Sequence, residues 1–183
     1  SVYEKEAPRC EAALLALGIP VLGICYGMQL IAELLGGEVV HSQKREYGKA
    51  KVTVDQEARL LKGLGGKGSS LVVWMSHGDQ VRFLPAGFHS LAHSKNTPFV
   101  AIENRSKKIY GLQFHPEVAH TPKGTEIIKN FLFQICDCRR RWTMESFLQH
   151  KVLDLRKKIG SQRVNCALSG GVDSAVVSLL LHR

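Results

Sequence analysis

No apolar run in these 183 residues approaches the ~20 consecutive apolar residues that span a bilayer as a helix. No signal peptide is visible either, so nothing recommends a membrane partner. Aromatic residues are few, at 7%, and none interleaves with the basic clusters Arg139-Arg140-Arg141 and Arg156-Lys157-Lys158. A nucleic-acid surface built on stacking platforms is therefore not indicated, and the clusters read as a linker and a solvated helix end. Acidic residues are also scarce: 16 Asp/Glu against 25 Lys/Arg leave a net charge of +9. The excess is uneven, +3 over residues 1–118 and +6 over 119–183, which suits anionic small substrates such as nucleotides. The five cysteines are odd in number and lack the spacing of a disulfide framework. Cys136-Asp137-Cys138 has no second ligand pair to complete a zinc site. Reduced thiols and a cytoplasmic protein are expected.

What is present is a hydrophobic content of 44%, enough for a buried core. Ala7 to Leu17 reads as a helix stopped at Gly18. Pro20 to Ile24 reads as a buried strand, and Gly27 to Leu35 as a helix ending at Gly36-Gly37. Further strands are expected at Lys51–Val54, Leu71–Met75, Phe99–Ile102 and Ile109–Phe114, with a hairpin turn over Asn104–Lys108. Gly124 to Ile135 has helical spacing. A polar, basic stretch then separates a second unit. There, a helix from Met144 to Ile159 closes at Gly160, and a strand is expected over Val164–Leu168. Ser169 to Ser174 forms a loop, and Ala175 to Leu181 a final helix. The expected division is 1–137, a linker 138–142, and 143–183.

Gly23-Ile24-Cys25-Tyr26-Gly27 puts a cysteine between an apolar strand and a helix. This is the thiol counterpart of a nucleophile elbow, in which a strained turn lifts the reactive atom off the sheet edge. The helix behind it offers a positive dipole end expected to lower the thiol pKa, and the Tyr26 amide is placed to receive an oxyanion. A buried structural cysteine is the alternative. A thiol nucleophile needs a base, and the base an orienting group. His115-Pro116-Glu117 offers both at a strand end, 90 residues downstream. His77, in Ser76-His77-Gly78-Asp79, is the main rival.

Pro20 to Gln29 together with Phe114-His115-Pro116-Glu117 resembles the class I glutamine amidotransferases. The resemblance spans residues 1 to about 135 and implies an α/β fold of flavodoxin-like type, a mostly parallel sheet with helices on both faces. It implies Cys25 as nucleophile on the glutamine side-chain amide, His115 as general base and acid, and Glu117 as orienting carboxylate. Tyr26, Gln29, and a loop carrying Ser76, Gly78 and Asp79 are implied to bind glutamine. In that family the first strands, and a glycine-rich loop with the second oxyanion amide, would precede Ser1. The chain is thus expected to be a fragment cut at both ends, with an incomplete oxyanion hole.

Ser169-Gly170-Gly171-Val172-Asp173-Ser174-Ala175 lies between an expected strand and a helix. Glycines let amides approach an anion, and the helix dipole favours it. The Gly-Lys-Ser/Thr of a Walker loop is missing. A plain serine/glycine turn is the alternative. In context the run resembles the ATP pyrophosphatases, whose loop grips the departing pyrophosphate. That implies the first strand–loop–helix of an adenine-nucleotide alpha-hydrolase-like domain, ATP with Mg²⁺, and Asp173 as a metal contact or a helix cap. A class I glutaminase joined to this loop resembles the glutamine-hydrolysing ligases that make GMP. Glutamine, ATP and xanthosine monophosphate (XMP) are then the implied substrates, with XMP-binding residues and homodimer contacts expected beyond Arg183. Another glutamine-dependent ligase, of CTP or carbamoyl-phosphate type, and a non-catalytic nucleotide- or nucleic-acid-binding module are the other readings.

Overall fold

The computed structural model describes residues 1–139 and 143–182, so most of the expected linker 138–142 and of the Arg139–Arg141 cluster lies outside the described residues. The chain divides into two units, Ser1–Cys138 and Arg139–Arg183.

In the first unit β1 (Val21–Ile24) leads into α1 (Tyr26–Leu34), followed by β2 (Glu38–Val54), β3 (Ser70–Phe83), β4 (His89–Ser94), β5 (Ala101–Asn104) and β6 (Ile109–Leu112). α2 (Gly124–Asn130) runs on into one π-helical stretch, Phe131–Ile135. The six strands are ordered β1-β6-β5-β4-β2-β3. Only β1 and β6 pair in parallel; the β2–β3, β2–β4, β4–β5 and β5–β6 ladders are antiparallel. The expected mostly parallel sheet is thus corrected to a mixed one. Between β2 and β6 no connection holds a crossover α-helix of the kind parallel pairing needs; the longest, between β2 and β3, holds only a 3₁₀ turn, Arg59–Leu61. The sheet also curls. Beyond β6, Gln113 N donates to Val100 O and His115 N to Trp74 O at 3.0 Å, so the chain after β6 meets β3 from the far end of the ladder order.

Both faces of the sheet are covered. Ile109 packs with Met28, Ile31 and Ala32 of α1, while Tyr110 and Leu112 pack with Ile127 of α2 and with Val73 and Met75. This is the two-residue alternation of a strand buried on both sides. Two glycines in register, Gly23 on β1 and Gly111 on β6, let α1 lie close. A Cβ on Gly23 would stand 2.6 Å from the Gly27 backbone, and one on Gly111 2.7 Å from Met28 Cγ.

Several expected elements change length. The Ala7–Leu17 helix shrinks to a 3₁₀ turn, Ala12–Ala16, in which only Leu15 is buried. Short alanine-rich helices without an apolar stripe to bury are marginal. The strands expected at Lys51–Val54 and Leu71–Met75 are halves of the long β2–β3 hairpin, and β4 is an additional strand.

The second unit comprises α3 (Met144–Ile159) and α4 (Val172–His182). Thr143 and Ser146 form a reciprocal capping box at the start of α3. Arg156, Lys157 and Lys158 occupy its last turn, where cations complement the helix dipole. The strand expected at Val164–Leu168 is not formed. No strand is described in residues 143–182, and a strand needs a neighbour to complete its hydrogen bonds.

Candidate active site

Cys25 stands between β1 and α1 with φ 49° and ψ −104°. Left-handed φ is costly for a residue with a Cβ and persists where surrounding contacts hold it. Its amide donates to Leu112 O at 2.6 Å, and its carbonyl accepts from the amides of Met28 and Gln29. The turn is thereby tied to β6 on one side and to α1 on the other. The two flanking glycines differ in purpose. Gly23 is crowded, whereas a Cβ on Gly27 would meet nothing within 4 Å.

The thiol has two near polar neighbours. Gln113 Nε2 lies 3.7 Å from Sγ, and the carbonyl of Ser76 lies 3.6 Å from it. Burial pushes the Cys25 thiol above its ordinary range, the Tyr26 amide and Gln113 pull it back, and the charge of Glu117 pushes it further up. The lowered pKa expected from the helix dipole is therefore corrected: desolvation wins and the shift is upward. A Gln113→Leu variant should move the pH midpoint of Cys25 alkylation by a neutral reagent upward, because one donor to the thiolate is lost. An unchanged midpoint in folded protein would remove Gln113 from this role.

Parallel pairing of Ile24 with Leu112 puts the chain following β6 on the same edge of the sheet as Cys25. Three residues past β6, His115 Nδ1 donates to Glu117 Oε1 at 2.6 Å. A carboxylate on Nδ1 leaves Nε2 free of the proton and able to accept one. Thr121 pins this turn: its hydroxyl donates to His115 O at 2.6 Å and accepts from Trp74 N at 3.0 Å. Gly124 pins it from below, since a Cβ there would come within 1.8 Å of Pro116 O.

Other expected site residues have protein partners. Ser76, Gly78 and Asp79 are not in a loop, as expected, but lie within β3 opposite β2, Ser76 against Tyr47 and Asp79 against His41. Pairing on either side, His41 with Asp79 and Glu46 with His77, carries the strand past the unpartnered Gly78 across a shift of register. Asp79 carboxylate oxygens take hydrogen bonds from Ser1 Oγ and Tyr3 OH and face His41 Nδ1. Gln29 is buried, its amide donating to Asp79 O at 2.9 Å and to Gln113 Oε1 at 3.2 Å. Tyr26 OH donates to Pro8 O. The rival His77 is buried, with Nδ1 2.9 Å from Asp79 O and Nε2 3.5 Å from Glu46 Oε2. Glu46 in turn accepts from Ser94 and Thr97. That arrangement braces the β2–β3 arm. Gln113 and Thr121 were not singled out by sequence reasoning. Gln113 had one available signal, its place two residues before His115 at the end of an apolar strand.

In the second unit the loop before α4 has Gly170 at φ 81°. Ser169 Oγ accepts from Gly171 N at 3.4 Å and donates to Ser174 Oγ, which donates to Gly171 O. Val172, Asp173, Ser174 and Ala175 form the first turn of α4. Among the described residues no group of three or more His, Cys, Asp or Glu is arranged to hold a metal, and no helix is long and apolar enough to cross a membrane.

The sequence profile of the class-I glutamine amidotransferases matches residues 1–135. A GMP synthase [glutamine-hydrolyzing] of Caldanaerobacter subterraneus subsp. tengcongensis is 51% identical over the whole chain, and one of Acetivibrio thermocellus 50% identical. The chain spans 35% of the length of each. Among solved structures, a GMP synthase subunit from Thermoplasma acidophilum superposes with a TM-score of 0.63 at 36% identity, covering 68% of this chain and 60% of that one.

Proposed function

The chain belongs to the class I glutamine amidotransferase family, and we propose that it hydrolyses glutamine at Cys25 to supply ammonia for the synthesis of GMP. The observation that carries this is a thiol held at φ 49° on the sheet edge where His115 is oriented by Glu117. His115 Nε2 takes the thiol proton as Sγ attacks the side-chain amide carbon of glutamine. The tetrahedral oxyanion is received by the Tyr26 amide. His115 returns the proton to the amide nitrogen, ammonia leaves, and a thioester remains on Cys25. Water, deprotonated by His115, attacks the thioester and releases glutamate and the thiol. Glu117 holds the imidazole in the right tautomer and balances its positive charge.

Gln29 acts through Gln113 and the Asp79 carbonyl rather than by direct contact, keeping the Gln113 amide turned to sulfur. Ser76 and Gly78 present β3 backbone toward the amino-acid end of glutamine. With the remainder of the protein, ATP adenylates the carbonyl oxygen of XMP and ammonia displaces AMP, giving GMP. The turn from Ser169 to Ala175 would receive the pyrophosphate portion of ATP on its amides and hydroxyls. Asp173 offers one carboxylate, which fits Mg²⁺ bound jointly with phosphate oxygens rather than in an all-protein cage. The near-half identity to GMP synthases over the whole chain supports this reading over the CTP and carbamoyl-phosphate alternatives.

A diazoketone analogue of glutamine tests the glutaminase step. It should alkylate Cys25 alone, as read by peptide mass, with glutamine protecting. Labelling spread over Cys10 and Cys166, with no protection, would contradict the assignment.

A further inference from the structure

One buried imidazole, His77, takes no part in the reaction steps. It stands on β3 opposite Glu46 of β2. The Glu46 carboxylate accepts from Ser94 and Thr97 and lies 3.5 Å from His77 Nε2, which fixes the far side of the ring. On the near side Nδ1 lies 2.9 Å from Asp79 O and donates to it. That bond spans Gly78, which has no partner across the β2–β3 ladder. The imidazole, rather than the ladder, therefore sets where the Asp79 carbonyl points.

The Asp79 carbonyl orders two amides in turn. A carbonyl oxygen only accepts, so Gln29 presents Nε2 to it, at 2.9 Å. The other hydrogen of that nitrogen goes to Gln113, which presents Oε1 at 3.2 Å. With Oε1 committed, Gln113 has Nε2 left for Cys25 Sγ, 3.7 Å away. Gln29 and Gln113 are both buried, so the amides depend on one another for partners. Reversing the first would reverse the second and set an oxygen against sulfur. The other polar neighbour of sulfur, Ser76 O, is independent of the ring, because Ser76 pairs with Tyr47 in the ladder. We infer that His77 is a positioning residue that fixes the polarity of this amide relay, so that Cys25 meets a hydrogen-bond donor as it ionises. This role rests on Cys25 being the reactive thiol of the proposed function, but the thiol can be titrated without turning over glutamine.

Two substitutions separate the ring nitrogens. The side-chain nitrogen of His77→Asn takes the place of Nδ1, and that of His77→Gln the place of Nε2. In the whole protein, the pH midpoint of Cys25 alkylation should stay within about 0.3 units of wild type for Asn and rise by about one unit for Gln, a tenfold loss of thiolate at a given pH. The kcat for glutamine should fall in the Gln variant, with use of added ammonium kept. On a Gln113→Leu background His77→Gln should add nothing, since the donor it controls is already gone. In the wild type, ring ¹⁵N shifts should show a hydrogen on His77 Nδ1, the signal being identified by its loss in His77→Asn. Each of four results overturns the role: an unmoved midpoint in folded His77→Gln, equal shifts for Asn and Gln, a fully additive shift on Gln113→Leu, or a bare Nδ1. A wild type that fails to use glutamine while these shifts hold would remove the proposed function and leave the relay standing.

Discussion

Replacing Cys25 with alanine is expected to lower glutamine-dependent ammonia release at least about 10⁴-fold, the scale of losing a covalent nucleophile. The fold should survive. The left-handed turn is held by the Leu112 carbonyl and by the first amides of α1, none of which needs sulfur. Alanine at φ 49° keeps the same backbone cost that cysteine already bears. In the whole protein, product formation from added ammonium should persist within a few-fold, because the proposed role of Cys25 ends once ammonia is free. The decisive comparison is glutamine against ammonium as nitrogen donor for one preparation of each protein. Retained glutamine use would remove Cys25 from the chemistry, and with it the function assigned to His115 and Glu117.

The second large effect is expected at Gly124, which no reaction step involves. A helix normally gains up to about 1 kcal/mol when an interior glycine becomes alanine, and less at a first position such as Gly124. Here the added Cβ would meet backbone atoms, Pro116 O at 1.8 Å and Pro116 C at 2.7 Å. The sign is set by that collision, since neither partner is the free end of a side chain. Gly124→Ala should therefore lose roughly 2–4 kcal/mol, in the range of overpacking in a rigid site. Relief by displacement would push the turn carrying His115 and Glu117 off α2, so kcat should fall further than the folded fraction does. Urea unfolding midpoints with steady-state kinetics separate the two losses. A variant as stable as the parent would mean that the turn has slack.

Both predictions rest on residues of unequal visibility in the sequence. The elbow is legible because strand, cysteine and helix are contiguous, and because glycines flank the position. His115 and Glu117 are legible as a pair two residues apart with a proline between them. Gln113 and Thr121 are not, since their partners Cys25 and Trp74 lie 88 and 47 residues away and no local pattern marks them. The β2–β3 hairpin reads as two short strands because Gln43 to Lys49 lacks aliphatic side chains and is exposed apart from Glu46 and Gly48. Glu46 is held by His77, Ser94 and Thr97, so a charge rather than an apolar side chain fills the inward position. The Val164–Leu168 segment shows the opposite error. Its composition favours a strand, but strand formation depends on a pairing partner that composition does not supply. Sheet direction is misjudged for a related reason, as the turns joining β2 to β6 read as marks of strand ends rather than of antiparallel neighbours.

The curl of the sheet bears on when the molecule becomes reactive. Sulfur touches groups 51 and 88 residues away in the chain, and such distant pairings form late because long loops must close first. A half-made or locally opened chain would carry a cysteine with neither the Gln113 amide nor the Ser76 carbonyl beside it, an ordinary thiol. On the proposed function, hydrolytic power is thus withheld until the two rims of the sheet have met.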